Sequence, residues 1–110
     1  MKTYLIVLMA VILSNISFAG SMNNLEFYLL IGQSNMAGRA PVLEEDEGVI
    51  SNCYLFSDKA EWEPATNPLN RYSTIRKDIE MQKLGPGYMF GIKMAEASDH
   101  PIGLIVNARG

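Results

Sequence analysis

Beyond about residue 24 the chain alternates short apolar runs with polar, turn-rich stretches. Leu25 to Ile31 is nearly continuously apolar and stops at Gly32. Val49 to Phe56 carries a second run, centred on Cys53-Tyr54-Leu55-Phe56, and Ile102 to Val106 a third. Short continuous apolar runs bounded by turn residues predict parallel strands buried on both faces. Two helices fall between them. One opens at Ser34 and runs to about Ala40, where Pro41 helps to end it. The other starts at Gly85-Pro86-Gly87, with Pro suited to the first turn, and ends at Asp99-His100-Pro101. In it Met89, Phe90, Lys93, Met94 and Ala97 recur at helical spacing, so the apolar members are expected to form one buried face. Ser57 to Arg71, rich in Pro and Asn, reads as a loop, and Tyr72 to Lys83 as a long polar connection with about one helical turn. The order β-α-β-loop-α-β argues for a doubly wound α/β domain.

The start of the chain follows a different rule. Lys2 gives a positive leader, Tyr4 to Leu13 an apolar core, and Ser17-Phe18-Ala19 the small residues of a signal-peptidase cut. That core is about ten residues long, and roughly 20 are needed to span a bilayer. Residues 1–19 are therefore expected to be a removed signal peptide, and residues 20–110 to form the exported part, periplasmic or secreted. No membrane contact is expected after removal. Cys53 lies too far downstream to be a lipid-anchor cysteine.

The chain has nine basic and twelve acidic residues, and loss of Lys2 takes the net charge from −3 to −4. Nothing in this balance points to nucleic acid. The single cysteine, Cys53, has no intramolecular partner and reads as a buried thiol. One His and one Cys build no zinc site, and no cofactor is expected. Glu44-Glu45-Asp46-Glu47 reads as a solvated acidic loop. Trp62 is suited either to stacking on a sugar or to capping the core. The third run leads straight into Asn107-Ala108-Arg109-Gly110, so the sequence is expected to be the N-terminal part of a larger domain.

Ser34 is the main chemical candidate. It follows the first strand by two residues, and open α/β sheets place ligands at the carboxyl ends of their strands. It also opens a helix, where free backbone N–H groups can stabilise an oxyanion. A helix start is equally a common place for a capping serine. Gly32-Gln33-Ser34-Asn35-Met36 is not a Gly-x-Ser-x-Gly elbow, because Met36 stands where the second Gly belongs. His100, the only histidine, precedes the third strand and so falls on the sheet edge opposite Ser34. Asn107 and Gly110 fall on the same edge as Ser34. A glycine there suits either an oxyanion N–H or a turn.

The stretch Ile31-Gly-Gln-Ser-Asn-Met-Ala-Gly-Arg39 resembles the first block of the sialate O-acetylesterase type of carbohydrate esterase, within the SGNH hydrolase superfamily. Pro68-Leu-Asn-Arg-Tyr-Ser73, Leu84-Gly-Pro-Gly-Tyr-Met-Phe90 and Ile102-Gly-Leu-Ile-Val-Asn-Ala-Arg-Gly110 are similar to that family too. The resemblance implies a flavodoxin-like three-layer α/β/α fold with a parallel sheet, incomplete at the C-terminus. It implies Ser34 as nucleophile, with the Ser34 and Gly110 N–H groups facing the oxyanion. Gln33 and Asn35 would shape the turn, and Arg109 would position the loop or touch the sugar. The family's Gln-Gly-Glu stretch and late Asp-x-x-His block are absent from these residues and would lie beyond Gly110.

The function expected is an exported serine esterase that hydrolyses O-acetyl esters on carbohydrates, such as sialic acid or acetylated xylan. As this fragment alone it is expected to be inactive. The competing expectation is a glycan-binding member that does not cleave. A flavin or nucleotide site is disfavoured, since the turn holds Gly32 and then Gly38, with no Lys nearby.

Overall fold

The computed structural model describes residues 24–75, 78 and 82–110. The expected signal peptide, and part of the Tyr72 to Lys83 connection, lie outside these residues. The domain is a mixed α/β unit. Four strands form one sheet: β1 (Glu26–Gly32), β2 (Cys53–Phe56), β3 (Trp62–Pro64) and β4 (Ile102–Ala108). Two helices accompany them, the single-turn α1 (Ser34–Ala37) and α2 (Gly87–Ala97). Among the described residues, no helix is long and apolar enough to cross a membrane.

The strands lie in the order β1-β4-β2-β3. β4 runs parallel to both β1 and β2, while β3 returns antiparallel to β2. The sheet is thus mixed rather than wholly parallel. β3 falls inside the segment expected to be loop. It is three residues long and ends at a proline, so its pairing with β2 comes from tertiary contact and not from a strand-like pattern of its own.

Each strand alternates its side chains between two faces, because the strand repeat is two residues. On one face lie Cys53, Leu55, Ile102, Leu104 and Val106, all buried. Tyr28 and Leu30 of β1 join that face, and α2 covers it. Each fully buried aliphatic side chain contributes roughly 1.5–3 kcal/mol. The helix approaches closely because two of its residues lack a side chain. A methyl at Gly91 would lie 3.1 Å from Leu104 Cδ1 and 3.3 Å from Cys53 Sγ, and one at Gly87 3.1 Å from Leu30 Cδ1.

The buried face of α2 therefore differs from the expected one. Gly87 and Gly91, four residues apart, lie against the sheet, flanked by Tyr88, Phe90, Ile92, Met94 and Ala95. Met89, Lys93 and Ala97 are exposed. Of the apolar residues expected on the buried face, Phe90 and Met94 pack against the core and Met89 and Ala97 do not, because the closest contact belongs to glycine.

The opposite face corrects a second expectation. Phe27, Leu29 and Ile31 are 60–64% exposed, so β1 is not buried on both sides. β1 is an edge strand, and among the described residues no helix covers those three side chains. At the amino end of the same face Trp62 lies over Gly103, where a methyl would meet its Cη2 at 2.7 Å. Its ring sits between Phe56 (centroids 5.0 Å apart) and Phe27 (6.4 Å). Of the two roles open to Trp62, the structure shows the sheet cap.

Candidate active site

The site begins where β1 and β4 stop together. Their register pairs Gly32 with Ala108, so the residues after each strand emerge side by side. The ladder continues one step further: Arg109 N–H donates to the Gly32 carbonyl at 2.8 Å. This brings Ser34 and Gly110 to one edge, and Gln33, Ser34, Arg39, Arg109 and Gly110 line an open concavity of about 330 Å³. That volume is at the lower end of small-molecule sites, about 300–1,000 Å³.

Local sequence explains the turn. Gln33 precedes α1 and Ser34 is its first residue, so Ser34 is not the capping residue. Its N–H opens the helix and has no carbonyl one turn back to bond. Ser34 itself is half-buried, with Gln33 and Asn35 exposed on either side. Gly32 is required because a methyl there would press on Met36 Cβ at 2.8 Å. At the other end of α1, Gly38 takes φ +102°, a conformation that L side chains rarely adopt. Ala40 and Leu84 then exchange two backbone hydrogen bonds, with Leu84 N–H to Ala40 O at 2.8 Å and Ala40 N–H to Leu84 O at 3.4 Å. The serine turn is thereby fixed to the segment that leads into α2.

The end of β4 is fixed from the other side. Asn70 is almost fully buried. Its Oδ1 accepts the Ala108 N–H at 2.9 Å, and its Nδ2 donates to the Ala108 carbonyl at 3.2 Å. The Ser73 hydroxyl donates to the same carbonyl at 3.0 Å. Asn107 Oδ1 accepts from the N–H and hydroxyl of Thr74, at 3.2 and 3.3 Å. All four stretches that carry the family resemblance therefore meet at this edge. The first and last carry the lining residues, and the middle two hold them in place.

Arg71, one residue from Asn70, is a structural side chain. Its Nη1 donates to the Thr66 and Pro68 carbonyls at 2.6 and 3.1 Å, and its Nη2 pairs with Glu63 at 2.7 Å. The Tyr72 hydroxyl donates to the same Glu63 oxygen. That hydrogen bond, with the Arg71 charge, holds the Glu63 carboxyl below its usual range.

His100 is exposed and lies just before β4, and its carbonyl accepts from Asn52. The seven residues of β4, roughly 20 Å of extended strand, separate that edge from the Ser34 edge. It does not reach Ser34. Cys53 is buried beneath α2, and burial pushes its thiol up to about 11. Among the described residues, no group of three or more His, Cys, Asp or Glu side chains could hold a metal ion. The acidic stretch forms a short 3₁₀ turn over Glu44–Asp46, where Asp46 accepts the Leu43 N–H at 3.1 Å. Sequence reasoning missed Arg39 as a lining residue and Asn70 and Ser73 as supports. The one available signal was their place inside the distinctive stretches.

The arrangement is that of an α/β domain with a serine turn at the carboxyl edge of adjacent parallel strands. Comparison with known proteins narrows this class. The family described as "Carbohydrate esterase, sialic acid-specific acetylesterase" matches residues 24–110. The chain belongs to that family of carbohydrate esterases. Among solved structures, a protein from Arabidopsis thaliana determined by X-ray crystallography is similar, with 27% identity and a TM-score of 0.65. The match covers 79% of this chain and 41% of the Arabidopsis chain. No curated protein matches.

Proposed function

We propose that this chain supplies the nucleophile edge of an exported serine esterase that removes O-acetyl groups from carbohydrates. The observation that carries the reading is the juxtaposition of Ser34 and Gly110 in one concavity, in a chain of the carbohydrate esterase family. Ser34 Oγ attacks the acetyl carbonyl while a base takes its proton. The Ser34 and Gly110 N–H groups hold the oxyanion. Collapse expels the sugar oxygen, which receives the proton, and leaves an acetyl-enzyme. Water then attacks, and acetate leaves. Gln33 and Asn35 shape the turn.

The base comes from residues outside this sequence. His100 sits on the wrong edge, and the similar Arabidopsis chain is more than twice as long as the matched part. The exposed Phe27, Leu29 and Ile31 support the same reading, since a further helical layer over them would complete a three-layer α/β/α sandwich of SGNH type. Export rests on the pattern of residues 1–19. The competing reading, a glycan binder that does not cleave, is favoured by the lack of a base beside Ser34 among the described residues. Acetate release from O-acetylated sugars by the full-length protein decides between them. Release by the parent protein and its loss in Ser34→Ala support the esterase. Sugar binding without release supports the binder.

A further inference from the structure

We infer that a hollow at the carboxyl end of β2 is a second sugar subsite, which holds a neutral unit of the glycan chain attached to the acetylated sugar. This rests on the esterase reading and adds a binding site to it. Asp58, Arg71, Tyr72, Ser73 and Thr74 line this concavity of about 380 Å³, which shares no lining residue with the one at Ser34. β2 ends at Phe56 and runs parallel to β4, so Asp58 stands at the same sheet edge as Ser34 and Gly110. The end of β4 links the two hollows. Thr74 bonds Asn107 Oδ1 through its N–H and hydroxyl, Ser73 bonds the Ala108 carbonyl, and Gly110 follows two residues on. β1 and β2 flank β4, so two strand spacings, roughly 10 Å, separate them. That offset places the second hollow beyond a single sugar held at Ser34 and within reach of the chain attached to it.

The lining groups are those that read hydroxyls. The Asp58 carboxylate is exposed and forms no hydrogen bond or ion pair among the described residues. Its backbone is nonetheless fixed, because Ser57 Oγ accepts the Lys59 and Glu61 N–H groups at 3.3 and 3.4 Å across the turn that carries it. Arg71 spends three of its five N–H groups on Thr66, Pro68 and Glu63, which hold the guanidinium still and leave donors over. The Thr74 hydroxyl donates to Asn107 and keeps its lone pairs as acceptors. An anion in this hollow meets Asp58 and a cation meets Arg71, so neither sign of ion is favoured. A neutral polyhydroxylated unit suits both, donating to the carboxylate and accepting from the guanidinium. Such charge-assisted hydrogen bonds are the stronger kind.

The test compares a single acetylated sugar with the same sugar in a chain, on the full-length protein. Two pairs are used: O-acetylated sialic acid against O-acetylated sialyllactose, and the methyl glycoside of acetylated xylose against singly acetylated xylotetraose. In the pair that is cleaved faster, kcat/KM for the chain is expected to exceed that for the single sugar by about 10- to 100-fold. Asp58→Trp, which fills the hollow from an exposed turn, should bring this ratio to within about threefold of one, mainly through KM. Asp58→Ala, which removes the acceptor and no contact that the fold uses, should shrink it part of the way. A wild-type ratio near one overturns the subsite, as does a ratio that both variants leave intact. A parallel loss on both members of the pair overturns it too, since the hollow then does not read the chain. Calorimetry of unacetylated sialyllactose and xylotetraose with the wild type and Asp58→Trp tests the subsite without turnover. Weaker binding of either chain by the variant sustains the subsite even if the esterase reading fails. No binding, or equal binding, rejects it even if acetate is released.

Discussion

The Asn70 side chain pairs with both backbone polar groups of Ala108, taking its N–H at 2.9 Å and donating to its carbonyl at 3.2 Å. A loop side chain here takes the place of a neighbouring strand. It completes the β4 ladder at the last residue before Arg109 and Gly110. Ala108 is fully buried, so its polar groups have no water to turn to.

Asn70→Ala should therefore cost more than an ordinary surface change. Two buried backbone groups lose their partner, at roughly 1–3 kcal/mol each where nothing replaces it. The Ser73 hydroxyl still serves the carbonyl. Destabilisation of about 2–4 kcal/mol by urea unfolding is expected. Asn70→Asp keeps the acceptor for the Ala108 N–H but sets a carboxylate against the carbonyl. It should be no more stable than Asn70→Ala at neutral pH and should recover as the pH falls.

Two glycines with positive φ separate strain from crowding. A methyl on Gly48, at φ +92°, meets nothing within 4 Å. A methyl on Gly38, at φ +102°, meets the Leu84 carbonyl at 2.6 Å. Gly48→Ala should cost only the backbone penalty, about 1–3 kcal/mol. Gly38→Ala should cost clearly more and should disturb the Ser34 turn. Thermal melts of the two variants give the order directly.

Cys53 offers a test of the core. Its thiol is buried against Gly91 and pushed up to about 11. The folded protein should react with a thiol reagent at about pH 8 far more slowly than the denatured protein, because the thiolate is the reactive form. A folded value above the unfolded one leaves stability untouched below the unfolded thiol range. Stability should then be lost as the pH rises toward 11, since only the unfolded chain ionises. Cys53→Ala should flatten that alkaline loss.

Glu63 acts at the other end of the scale. Tyr72 and Arg71 hold its carboxyl below the ordinary glutamate range. Its contribution is complete above that range and is lost as the pH falls through the depressed folded value. The acid limb of a Tm-against-pH curve should be shallower in Glu63→Gln, which cannot titrate. The group is partly exposed, so the difference should be small.

Much of this architecture was legible in the sequence. β1, β2 and β4 are apolar runs, and α1 and α2 open at turn residues that announce them. The shared edge of Ser34 and Gly110 followed from both lying just beyond strand ends. Three things were not legible. Trp62–Pro64 becomes β3 only by pairing with β2, and three residues carry no periodicity. A continuous apolar run does not tell a central strand from an edge strand, so the exposure of Phe27, Leu29 and Ile31 went unforeseen. Asn70 sits among prolines and asparagines that all look like turn formers, and only the folded chain shows its side chain pointing into the core.

Whether Ser34 carries the acetyl group is tested most directly by trapping the intermediate. The full-length protein is incubated briefly with an acetylated sugar, quenched in acid and mapped for modified peptides by mass spectrometry. One acetyl group is expected on Ser34, absent in Ser34→Ala and cleared on longer incubation as acetate is released. Acetate release with an unmodified Ser34 and undiminished activity in Ser34→Ala would contradict that role.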